Sequence, residues 1–416
     1  MNLRKSMAIN PNRVKSRLVF SFPGFEGLTS NWFIRRVKSC VTKTAKMWGV
    51  STVSGAVEHH QYAHYSALNL STTGDDWSVK TRFIQLSFGD LVRAYYDHLK
   101  PKIMIANILK LFSFVLDGSH YRYFNHSINF GCYLSFPVIL TVLFLALSYF
   151  GSNYIVGFVG LTGIAHFVAM ALLTVLSFLG LYIWASRQLY YSLSLGVWGH
   201  GRDLVNEKSS DFDVRFDDFA KIVSCEINAN DYDEIIFAGH SFGAFWAAKV
   251  LAIALKKEPN LLEGKRASFL SLGGAIAAVA LVRGQTKFRT ELSQLFKEKN
   301  LFWHDFQSRL DFICFYKVDM FEVLKLGKPP AGYQLSFVNF KRSMNPEKYW
   351  NMKKSIYLTH RQYILDQDHC VSFDYYLRVL GPIFTQDLAN TPSMAKLINV
   401  QKDVFIQDNL IVTDSG

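Results

Sequence analysis

Charge is scarce in this chain. Asp, Glu, Lys and Arg make up 19% of its 416 residues, against roughly 25% in an average soluble protein. With an apolar share of 50%, that shortage implies that part of the chain faces lipid. Cysteine is scarce too. Cys40, Cys132, Cys225, Cys314 and Cys370 are odd in number, widely spaced and without a C-x-x-C pair. They argue against a disulfide framework and a zinc site, and they fit a reducing compartment. There is no Pro/Ser-rich tract, no block of like charge and no internal repeat, so disorder is not expected. Met1 to Arg17 is polar and basic and lacks the apolar core of a cleaved signal peptide.

The charge that is present is unbalanced, at +12. Basic residues are scattered (Arg35, Arg36, Lys38, Lys43, Lys46; Lys256, Lys257; Lys353, Lys354) rather than gathered into one arm. No nucleic-acid module accompanies them, so nucleic acid is not an expected partner. An anionic membrane surface explains the excess better.

Two uncharged stretches dominate the middle of the chain, Ile128 to Phe150 and Tyr154 to Ala185. Each exceeds the roughly 20 residues that a helix needs to cross a bilayer. With Gly151-Ser152-Asn153 as the link, they predict a two-span transmembrane hairpin within residues 128–186. Tyr149, Tyr154, Tyr182 and Trp184 fall near the expected ends, where amphipathic rings favour the interface. Pro137 is expected to kink the first span. His166, inside the second, is read as a neutral imidazole bonded to a nearby backbone carbonyl. A hairpin returns the chain to the side it left. Lys100, Lys102, Lys110, Arg122 and Arg187 flank it while its tip is uncharged, which places the rest of the protein on the cytoplasmic side. Lys102 to Leu116 is apolar but short, and is expected to lie along the membrane surface.

The flanking segments alternate between strand and helix patterns, which predicts an α/β fold with a mainly parallel sheet. Arg17–Phe22, Glu234–Ala238, Ala267–Leu272, Leu301–Gln307 and Ser355–Thr359 read as strands. Asn31–Met47 and Ala244–Lys257 read as helices. The pattern does not decide whether Ser54 to Leu99 forms a lid. His59, His60 and His64 lack the carboxylate–histidine spacing of a zinc site, and are read as surface residues.

The sharpest motif is Gly239-His240-Ser241-Phe242-Gly243, a G-x-S-x-G placed between a strand run and a helix. Such a turn holds a serine in a strained conformation with its hydroxyl exposed near the positive end of the helix. Serine needs a base, and the base an orienting carboxylate. Asp311, in the loop after Leu301–Gln307, is the preferred acid, with Asp319 as its rival; Asp305 lies within the strand itself. His360 is the preferred base, expected on a loop after the last strand, with His369 as its rival. Two backbone N–H groups, of Phe242 and of Phe25 in the Pro23-Gly24 loop, are the expected oxyanion donors.

Together FSFPGFEG, DEIIFAGHSFGA, SLGG, WHDFQSRLDFICFYKVD, YLTHRQYI and FDYYLRVLGP resemble the α/β-hydrolase superfamily. More narrowly, they look like poorly characterised membrane-associated bacterial serine hydrolases, of lipase or esterase type. The resemblance covers nearly all of the chain outside the hairpin. It implies an α/β-hydrolase fold split by the hairpin into residues 1–127 and 187–416, and a Ser-Asp-His mechanism. In the family pattern the loop acid matches Asp311 and the late histidine His360, although Arg309-Leu310 stands where Ala-Pro is usual. The expected substrate is a carboxylic ester or thioester with a lipid-like acyl group, cleaved without metal or organic cofactor. Acyl transfer by the same residues, or a non-catalytic membrane adaptor that keeps the fold, are the alternatives. The resemblance places the protein in a bacterial inner membrane.

Overall fold

In the computed structural model, the short, largely apolar runs of the sequence become the inner strands of one sheet. The structure describes residues 13–96, 100–206, 210–326, 332–389 and 410–412; most of the polar N-terminal stretch read against a signal peptide lies outside them. The strands are β1 (Ser16–Phe22), β2 (Ser51–His60), β3 (Tyr65–Thr73), β4 (Ser78–Leu86), β5 (Glu234–His240), β6 (Ala267–Leu272), β7 (Leu301–Gln307), β8 (Tyr333–Val338) and β9 (Leu410–Val412). They lie in the order β2-β3-β4-β1-β5-β6-β7-β8-β9. The six from β4 to β8 are parallel, while β2, β3 and β9 join antiparallel at the edges. Every residue of β5, β6 and β7 is buried, as expected of parallel strands covered on both faces.

The segment from Ser54, whose role the pattern left open, supplies the antiparallel edge β2–β4 rather than a lid over Ser241; residues 97–99 lie outside the described ones. His59 and His60 sit on β2, His60 stacked on Tyr65 with ring centroids 4.3 Å apart.

Neighbouring strands β1 and β5 are joined by a buried ion pair. Arg17 Nη2 lies 2.7 Å from Glu234 Oε2, and the guanidinium also donates to the carbonyls of Gly381 and Ile383. Glu234 takes further bonds from Ser268 and the Thr385 N–H. With its polar atoms satisfied, the pair fixes strand register, and removing one partner would strand a charge at a cost of about 3–5 kcal/mol.

The helices that follow β1 and β5 cover opposite faces. Ser30–Trp48 packs Ile34, Val37 and Val41 against Val19, Phe83 and Ile236. Phe242–Lys257 packs Ala244, Ala247 and Leu251 in the cluster that holds Leu18, Phe20 and Phe237. In such sheets a crevice opens outside the carboxyl ends of the two strands where the chain changes faces. Here those ends carry Pro23-Gly24 and Ser241.

Two helices, Ile128–Val159 and Gly163–Gln188, are long and apolar enough to cross a membrane. Their turn is at Gly160-Leu161-Thr162, not at Gly151-Ser152-Asn153. Three small residues do not stop a helix embedded in apolar sequence, whereas Gly160, at φ 73°, caps it in the left-handed conformation that suits glycine. At 32 residues the first helix is about 48 Å long, more than the bilayer core requires. Its first turns are accordingly built into the protein, with Phe130, Tyr133, Leu134 and Pro137 buried. Thr141 Oγ1 bonds the Pro137 carbonyl, and His166 Nδ1 donates to the Leu161 carbonyl. Tyr182, placed at the interface by sequence, is buried against Tyr191 instead. The apolar stretch after Lys102 forms the helix Pro101–Leu116, which buries Met104, Asn107, Leu111 and Phe114 and leaves Ile105, Leu109 and Leu116 exposed.

Candidate active site

The strand-to-helix turn after β5 holds Ser241 at φ 56° and ψ −128°, a region that costs a non-glycine residue on the order of 1–3 kcal/mol. The two flanking glycines are required by contact. A Cβ on Gly239 would stand 2.3 Å from Ala244 Cα, and one on Gly243 2.2 Å from the Phe22 carbonyl oxygen. Backbone bonds pin the strained residue from both sides: the Ser241 N–H donates to Leu272 and its carbonyl accepts from Ala275.

Asp311 lies in the loop after β7, as expected, and is fully buried. Its Oδ1 accepts from the Ile313 N–H at 2.9 Å, and its Oδ2 accepts from His360 Nδ1 at 2.8 Å. Gly273, at φ 56° beside this carboxylate, explains the SLGG motif, since a Cβ there would lie 2.6 Å from Tyr363 and 3.1 Å from Asp311 Oδ2. With Nδ1–H committed to Asp311, a neutral His360 carries its lone pair on Nε2. That atom is buried without a hydrogen-bond partner among the described residues, and His360 and Ser241 line the same cleft. Catalytic hydrogen bonds are often loose before substrate binds.

The element carrying His360 differs from the expected one. Ser355–Thr359 is not a strand: Ile356–Arg361 is a short helix, with Ser355 as N-cap accepting from Leu358 N–H. The β-branched and aromatic side chains suit either state, and the cap decides it. The rivals are placed elsewhere. Asp319 caps the helix Met320–Leu324, accepting from Phe321 N–H. His369 is half-buried in the turn before Cys370. Asp305 is buried within β7 and bonded to Gln307; burial pushes its carboxyl up to about 6.

Phe25 and Phe242 both line the cleft, with ring centroids 5.9 Å apart. Neither of their N–H groups donates a hydrogen bond among the described residues, so both remain available to an incoming oxyanion. Gly24 is compulsory here, because a Cβ would stand 2.9 Å from His240 Nδ1 and 3.1 Å from Ser241 Cβ.

Three features escape the sequence reading. His240, inside the motif, is fully enclosed and held neutral, its pKa pushed well below the usual histidine value by burial and then by His360. Much of the apolar lining of the cleft comes from the roots of the hairpin: Phe130 and Tyr133 on its first helix, and Leu193, Val197 and Trp198 just after its second. Glu26 and Arg361 also line the cleft. Only His240 had a sequence signal, its place beside the serine; the others depend on packing between distant segments.

Comparison of the chain with protein-family models, with curated proteins and with solved structures finds no match.

Proposed function

We propose that this protein is a membrane-anchored serine hydrolase of the α/β-hydrolase type, acting on a carboxylic ester or thioester with an apolar acyl group. The observation that carries the reading is the Asp311–His360 contact, which leaves an unbonded His360 Nε2 in the cleft that Ser241 lines. Structural carboxylates and histidines have no need to converge on a strained serine.

In this reading His360 Nε2 takes the proton of Ser241 as Oγ bonds to the substrate carbonyl carbon. Asp311 holds the imidazole in orientation and stabilises its charged form. The N–H groups of Phe25 and Phe242 receive the negative oxygen. The ester C–O bond then breaks, and His360 returns its proton to the leaving alcohol or thiol. Water repeats the sequence on the acyl-serine, frees the carboxylic acid and restores Ser241.

The two long apolar helices support membrane anchoring. The basic flanks of the hairpin support a cytoplasmic position for the sheet, in a bacterial inner membrane. The reading is tested by hydrolysis of a series of acyl esters of graded chain length in detergent micelles. Wild type is expected to cleave them. Ser241→Ala is expected to lose activity by a factor on the order of 10⁴ or more while staying folded. An active Ser241→Ala protein overturns the assignment.

A further inference from the structure

The candidate cleft is divided by chemistry. One wall is apolar and belongs to the hairpin: Phe130 and Tyr133 come from its first helix, Val197 and Trp198 from the helix that follows its second. The ionic rim of the cleft consists of Glu26, from the Pro23-Gly24 loop, and Arg361, from the short helix that carries His360.

The charges on that rim do not cancel. Glu26 is taken by Arg36, whose Nη1 and Nη2 lie 3.0–3.3 Å from its carboxylate oxygens. Both side chains are nearly buried, so the pair is fixed and neutral as a unit. Arg361 is the second cation. Its Nε is 3.9 Å from Glu26 Oε2, beyond hydrogen-bond length, and its guanidinium donates no hydrogen bond among the described residues. The side chain is one-third exposed and lines the cleft. One carboxylate therefore faces two guanidiniums, leaving one positive charge with free donors directly beside His360.

From this the geometry points to an acyl ester with an anionic polar end as the substrate: the acyl chain on the hairpin-root wall, and a phosphate-type anion on Arg361. A guanidinium offers a planar pair of donors that suits phosphate oxygens. The inference rests on the hydrolase reading and adds a substrate class to it. In the reaction, Ser241 receives the acyl group, and the anionic alcohol leaves with the proton returned by His360.

The test compares two esters with the same chain in neutral-detergent micelles, 1-oleoyl glycerol and 1-oleoyl glycerol 3-phosphate. The full-length protein is expected to favour the anionic ester at least tenfold in kcat/KM, a preference that shrinks as salt screens the charge. Arg361→Gln is expected to bring the ratio of the two to within about twofold, chiefly through KM for the anionic ester, and Arg361→Lys to restore part of it. Equal cleavage of both esters by wild type, or preference for the neutral one, overturns the inference. So does an unchanged ratio in Arg361→Gln.

Inorganic phosphate alone, at the concentration of the anionic ester, is expected to leave hydrolysis of the neutral ester unchanged. Inhibition at that concentration would indicate a free-anion site and overturn the amphiphile. Labelling of Ser241 by a fluorophosphonate is run in parallel. Labelled protein that cleaves neither ester refutes the substrate class alone, whereas folded protein that neither labels nor cleaves refutes the hydrolase reading beneath it.

Discussion

The imidazole of His240 donates from Nε2 to the backbone carbonyl of His360 across 2.8 Å, with the two rings 4.7 Å apart. The residue before the candidate nucleophile thus holds the backbone of the candidate base. Because this imidazole is neutral and its tautomer is set by the carbonyl it serves, it positions His360 without taking part in proton transfer.

That contact yields the first prediction. His240→Phe keeps an aromatic ring, a somewhat larger one, but leaves the His360 carbonyl without its donor, a buried loss of about 1–3 kcal/mol. The variant is expected to fold and to lose roughly tenfold in kcat, with little change in KM. His240→Gln, which can donate to the same carbonyl, is expected to recover part of the loss. Steady-state kinetics on one ester separate this from a packing role, for which Phe would serve as well as Gln.

Asp311 and Asp319 are predicted to differ sharply. Asp311→Asn removes the acceptor that fixes the His360 tautomer and is expected to lower kcat by about 10⁴. Asp319→Asn alters only a helix cap and is expected to cost no more than about 1 kcal/mol of stability, with activity retained. Kinetics and thermal unfolding of the two variants side by side decide it. The reverse pattern would move the acid to Asp319.

Stability is predicted to fall between pH 7 and pH 6. His200, His240 and His304 are all held below the ordinary histidine value, foremost by burial, His200 at about 3. Once unfolded, each takes up a proton near pH 6.5. The unfolded state therefore binds more protons below that pH, and stability declines with acidification. For three such groups the loss across this one unit is about 2 kcal/mol, or about 2 °C in Tm for a chain of this size. Asp305, raised to about 6 by burial, acts in the opposite sense, but mainly below this window. A Tm that is flat or rising from pH 7 to pH 6 would contradict the burial of these histidines as neutral groups.

Topology gives a fourth prediction. Cys225 is exposed on the helix Ser210–Ala229, within the sheet-containing part of the protein. In intact cells a membrane-impermeant maleimide is expected to spare Cys225, and to reach it after permeabilisation. A cysteine placed at the hairpin tip, Leu161→Cys, is expected to react from outside. The opposite pattern would invert the orientation.

The sequence disclosed those parts of this fold whose cause is local. Strands β5, β6 and β7 are short, mainly apolar runs, and each lies close to where the pattern placed it. The Ser241 turn was legible because Gly239 and Gly243 answer contacts that only glycine tolerates. Segments with two physical solutions were not. Gly151-Ser152-Asn153 has turn composition yet continues a helix, and SIYLT has strand composition yet follows an N-cap serine. Least legible was the cleft wall. Phe130 and Trp198 belong to segments that look purely membranous or featureless in sequence, and only tertiary packing brings them to Ser241.

The most direct test of the account is covalent labelling of detergent-solubilised protein with a fluorophosphonate probe, followed by peptide mapping. The account predicts one modified residue, Ser241, with labelling abolished in Ser241→Ala and strongly slowed in His360→Ala. Folded wild-type protein that takes up no label, or labels at another serine, would contradict the claim that Ser241 is an activated nucleophile.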